Sequence, residues 1–154
     1  MKNLVITILL TALFLSGYAQ EEVKFRQKNF NIEKSVALEG YDAVSYFSKK
    51  PLKGKSSFQI NNKGIIYYFA NQENLDAFKS NPSKYEPAYG GWCAYAMGEK
   101  GEKVEVDPET FKIINGKVYL FYNKFFSNTL TDWNENEASL KKKADLNWSK
   151  IAAQ

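Results

Sequence analysis

The sequence predicts an α+β fold, with two β-hairpins forming a small antiparallel sheet packed by several helices. Three observations predict it. The stretches 57–69 and 111–122 each place β-branched and aromatic residues on both sides of an Asn/Gly turn. Apolar residues recur at helical spacing through the last third of the chain. A helix-start signal at Asn71 follows the first hairpin directly. No internal repeat or low-complexity segment interrupts this order.

Taken in order, Lys2 precedes an unbroken run of apolar and small residues from Leu4 to Leu15, and Ser16-Gly17-Tyr18-Ala19 follow. This has the form of a secretory signal peptide over 1–19, cut after Ala19. The run falls short of the roughly 20 apolar residues that span a bilayer, and no cysteine follows it to carry a lipid. The expected product is a periplasmic or secreted protein without a stable membrane anchor. Cleavage takes 19 of the 154 residues and leaves 135, one domain. Residues 20–35 are polar with scattered apolar positions, a lead-in segment packing on the domain through Val23, Phe25, Phe30 and Ile32. Tyr41 to Phe47 reads as a short strand or tight turn.

The first hairpin pairs 57–60 with 65–69 around Asn61-Asn62-Lys63-Gly64. Asn71 caps the next helix, Leu75, Ala77 and Phe78 form its apolar side, and Asn81-Pro82 stops it. Gly90-Gly91 breaks the chain before a short helix over 92–97, which ends near Gly98. Asp107-Pro108 reads as a helix cap with proline at the first helical position. Asn115-Gly116 suits a type I′ turn between 111–114 and 117–122. Asn123 reads as the cap of a following helix with the stripe Phe126, Leu130, Trp133. A final helix carries Leu140, Ala144, Trp148 and Ile151 on one side, with Glu137 and Lys141 spaced for an ion pair.

The formal charge of +4, or +3 without Lys2, is too small to imply a nucleic-acid partner. Lys49, Lys50, Lys53 and Lys55 read as solvated surface. The 10 Tyr, 11 Phe and 3 Trp must mostly be core, because that many exposed rings would aggregate.

Chemistry concentrates in residues 89–97, which hold the only cysteine, Cys93, and one of two methionines, Met97; histidine is absent. On a helix, positions i and i+4 share a face, and a thiolate beside a thioether would select Cu(I). Two sulfurs are half a site, and both residue types also fill cores. A Cys in the first turn of a helix could instead be a reactive thiol. Gly90-Gly91 lacks a phosphate-loop frame and serves the backbone turn. Asp42 reads as a turn brace or as a catalytic carboxylate. Asn147-Trp148-Ser149 matches the glycosylation frame, but it lies within a helix.

Several segments together resemble the YHS-domain proteins. They are Gly40 to Phe47, Tyr67-Tyr68-Phe69, Phe78 with Asn81-Pro82-Ser83-Lys84-Tyr85, Tyr89 to Met97, Tyr122-Asn123-Lys124, and Lys143 to Trp148. The likeness is to the longer exported bacterial form and covers about 36–151 of a domain read as 36–154. The resemblance implies a small α+β domain from a family found alone, fused to metal-transporting ATPases and in other metal-linked or oxygenase proteins. The exported form has no settled activity. This chain departs from the family pattern. It lacks the histidine of the family name, and the thiol positions of metal-binding relatives fall on Ser45, Ala70 and Asn74.

The expected function is a small exported binding module of this type, associated with a soft metal such as copper(I). Cys93 and Met97 are its candidate metal ligands, and Tyr41, Asp42, Trp92, Tyr95 and Lys124 its candidate ligand neighbours. No catalytic residue is assigned. Two alternatives stand beside it. One is a thiol-dependent redox enzyme or sensor using Cys93. The other is an aromatic pocket lined by Trp92, Tyr95 and Tyr41 for a small ligand or protein partner.

Overall fold

The computed structural model describes residues 19–153, so the expected signal peptide lies outside the described residues except for Ala19. The described chain begins with helix α1 over 19–29. Two short strands follow, β1 (Ile32–Glu33) and β2 (Val36–Ala37), and then 3₁₀ turns at Leu38–Gly40 and Ser45–Ser48. The first hairpin is β3 (Lys55–Asn62) and β4 (Ile65–Phe69), leading into α2 (Gln72–Ser80) and α3 (Pro82–Tyr85). A 3₁₀ turn at Ala88–Gly91 leads to α4 (Ala94–Glu99). The second hairpin is β5 (Asp107–Ile114) and β6 (Lys117–Phe121). A small ribbon, β7 (Asn123–Lys124) and β8 (Ser127–Asn128), precedes α5 (Thr129–Glu135) and α6 (Glu137–Ala152).

The architecture is α+β. Each expected hairpin forms, and each lies in a sheet of its own. The first sheet has the order β1-β2-β4-β3, with β2 parallel to β4 and the other pairs antiparallel. β5 and β6 pair separately, in register Phe111↔Leu120 and Ile114↔Lys117. Asn115 and Gly116 both take positive φ (50° and 75°), as a type I′ turn requires.

Four local expectations are corrected. Asp107-Pro108 opens a strand, not a helix. The Asp107 carboxylate accepts from the Glu109 N–H (3.0 Å) and Thr110 Oγ1 (2.9 Å), and a bulge between Asp107 and Phe111 absorbs the proline. Asn123 caps no helix; it sits in β7, and its amide donates to Thr110 Oγ1 (2.9 Å). The cap of α5 is Asn128, whose Oδ1 accepts from the Leu130 N–H (3.1 Å). Phe126 consequently lies in the β7–β8 turn, outside the apolar stripe assigned to it. The Glu137–Lys141 pair also gives way: Lys112 takes Glu137 and Lys141 takes Asp145.

Two core clusters meet across β6. Val118 and Leu120 face a cluster with Tyr46, Phe69 and Phe78. Tyr119 and Phe121 face a second one with Met97, Trp133, Leu140 and Ala144. Strand side chains alternate between faces, so a strand apolar on both faces belongs between two packed layers. α4 and α6 press together at Gly98, where an added Cβ would stand 2.6 Å from the Leu140 carbonyl oxygen. α1 is held by the Arg26–Glu86 ion pair, by the Trp92 indole N–H on the Asn29 carbonyl (2.6 Å), and by Phe25 and Phe30 edge-on to Trp148. Among the described residues no helix is long and apolar enough to cross a membrane.

Candidate functional site

Cys93 occupies the junction of α4, β6 and α5. It is the N-cap residue of α4, its N–H donates to the Val104 carbonyl (2.9 Å), and it bridges Leu120 in parallel fashion. Its sulfur accepts from the Tyr122 N–H (3.4 Å) and meets Thr129 Oγ1 at 3.4 Å. Thr129 gives its own hydroxyl proton to the Tyr122 carbonyl (3.0 Å). A hydroxyl has one proton, so the Cys93 S–H is the donor to Thr129. A closed ring results: thiol to hydroxyl, hydroxyl to carbonyl, and the same residue's amide back to sulfur. The ring joins the end of β6 to the start of α5 and leaves Cys93 fully buried.

Above this ring lies an open, largely apolar groove with a cavity volume of ≈ 300 Å³. Cys93 and Thr129 line its floor, Tyr95, Ala96, Val104 and Tyr122 its walls, and Glu99, Lys100 and Glu102 its rim. Partial burial, with the nearby carboxylates of Asp132, Glu99 and Glu135, raises the Tyr95 pKa.

Of the expected site residues, the structure brings Cys93 and Tyr95 together in this groove, and Lys124 follows two residues after its wall at Tyr122. Lys124 is exposed and pairs with Glu105 at 3.6 Å. Met97 goes elsewhere. Cys93 belongs to the first core cluster and Met97 to the second, because α4 begins only at Ala94 and wedges between the two. The sulfurs are therefore packed in separate layers. Trp92 turns towards α1, and the Tyr41 hydroxyl donates to Glu109 (2.8 Å) while Lys53 lies over its ring. Neither lines the groove.

Asp42 is fully buried and entirely engaged. Its Oδ1 accepts from the N–H groups of Val44 (2.8 Å) and Ser45 (3.3 Å). Its Oδ2 accepts from the Ala70 N–H (2.9 Å) and the Asn74 amide (2.6 Å). Ser45, Ala70 and Asn74, where the resemblance sets thiols, thus converge on this carboxylate. The donor set is amides around a buried acid, which does not fit a soft metal ion. Among the described residues no three His, Cys, Asp or Glu side chains group as metal ligands.

Val104 and Thr129 carried no signal in the sequence, since they meet Ala96 of the 89–97 segment only after β6 and the β7–β8 ribbon fold back on α4. Tyr122 could be found only as part of the YHS-like Tyr122-Asn123-Lys124 segment. Comparison of the chain with models of known families, with curated proteins and with solved structures finds no match.

Proposed function

We propose that this protein is a small exported binding module of the YHS type that takes an apolar group in the groove over Cys93. The groove itself carries the reading. It is concave, lined mainly by apolar and aromatic side chains, and has a few fixed polar groups at its floor, which is the usual build of a ligand site. The Cys93 thiol acts there as a positioned part of the floor. Its place in the hydrogen-bond ring argues against a nucleophilic or redox role, because no basic side chain sits within its ring of partners. A copper(I) role has less support: Met97 lies in another layer, which leaves Cys93 as the one sulfur at the groove among the described residues.

The test is a titration with the fluorescent probe 8-anilinonaphthalene-1-sulfonate, read by probe emission. Saturable single-site binding is expected, with loss of at least tenfold in affinity in Ala96→Phe, which fills the groove. Equal binding by native protein and a folded Ala96→Phe variant would overturn the reading.

A further inference from the structure

The β7–β8 ribbon ends in two consecutive phenylalanines that none of the other described residues covers. Phe125 is 95% exposed and Phe126 fully so. Phe125 also takes φ of +58°, a left-handed conformation that costs a non-glycine residue strain. The fold gains no packing from either ring. Soluble proteins rarely leave adjacent large aromatics bare unless they meet a partner.

The ribbon stands on the rim of the Cys93 groove, since Tyr122 and Thr129 flank it and line that groove. The pairs Asn123↔Asn128 and Lys124↔Ser127, closed by the Thr129 N–H on the Tyr122 carbonyl (3.0 Å), fix the tip's direction. Neither ring lines the groove of its own chain. We propose that the Phe125-Phe126 tip of one copy enters the Cys93 groove of a second copy, and the reverse, in a two-fold pair. The proposal rests on the reading of the groove as a binding site and names its partner.

Size, area and charge agree with this occupant. A cavity of about 150 Å³ accommodates one benzene ring, and the groove measures ≈ 300 Å³, room for two. Four phenyl rings bury about 600–1,000 Å². The groove linings add far less, so the total is about 1,000 Å², the size of a weak, concentration-dependent pair. Lys124, beside the tip, would approach a rim on which Glu99 and Glu102 outnumber Lys100. Tip and groove share one edge of the molecule, so each copy can offer both at once, as a self-complementary contact demands.

The test is sedimentation equilibrium over a wide concentration range. The native protein is expected to approach twice its monomer mass. Phe125→Ser/Phe126→Ser and Ala96→Phe should each stay monomeric, and mixing the two should restore association, because one intact tip meets one intact groove. A native protein that stays monomeric overturns the proposal, including one that instead binds phosphatidylglycerol vesicles through the tip. So does association that survives loss of both phenylalanines. The tip variant changes exposed positions only, so it decides the matter even if Ala96→Phe fails to fold. Probe binding by the tip variant reads the groove alone. Its absence counts against the groove reading, whereas probe binding without self-association removes the pairing and leaves the groove.

Discussion

Asp42 shows how one side chain can organise a region that has little regular structure. Four donors from three separate segments end on its two oxygens, and Ser45 extends the brace by donating to the Asp42 carbonyl (2.7 Å) and accepting from the Leu52 N–H (3.0 Å). Asp42→Ala would strand buried or half-buried donors, each costing about 1–3 kcal/mol. A loss of at least about 3 kcal/mol is expected by urea denaturation, with a smaller loss for Asp42→Asn, which keeps one acceptor oxygen. A loss under about 1 kcal/mol in Asp42→Ala would show that the brace is dispensable. That Asp42 holds a turn was readable from Gly40-Tyr41-Asp42. That its partners would come from Ala70 and Asn74 was not, since they lie about thirty residues away and meet it only through folding.

The elements that formed as read are those with local causes. Asn71 caps α2 by accepting from the Asn74 N–H (2.9 Å), and Asn115-Gly116 makes its turn. Errors arose where two local signals competed. Asp107-Pro108 suits a helix start or an irregular strand start, and pairing with Phe121 selects the strand. Asn123 and Asn128 are both good caps, and the β7–β8 pairing removes the first. Gly98 gives the opposite lesson. Within a helix, Gly→Ala normally stabilises by about 1 kcal/mol. At Gly98 the new methyl meets Leu140 backbone, at 2.6 Å from its oxygen and 3.1 Å from its carbonyl carbon. Gly98→Ala is therefore expected to lower the thermal midpoint by forcing α4 off α6. A rise would mean that the helix pair is loosely packed.

Across the whole molecule, the aromatic residues do what their abundance implied and carry both cores. Burial raises the pKa of Tyr46 and of Tyr67, the latter also through Glu86, and burial with the Asp145 carboxylate raises that of Tyr89. A phenol whose pKa is raised by folding stabilises fully below its unfolded value, near 10, and the contribution is lost as pH climbs above it. An alkaline titration followed by absorbance at 295 nm reads this ionisation directly. Tyr46, Tyr67 and Tyr89 should ionise only with loss of the circular-dichroism signal. Complete ionisation with the native signal intact would contradict the packing.

The residues alone settle the α+β class, both hairpins, the cap at Asn71 and the stripe of α6, because each depends on contacts within a few positions along the chain. They also single out Cys93 and Tyr95, through residue type and density. The separation of Cys93 from Met97, the bracing of Asp42 and the groove between α4, Val104 and Thr129 come from packing between distant segments. β6, apolar on both faces, divides the interior into two layers, and no spacing along the chain reveals which layer a given sulfur will enter.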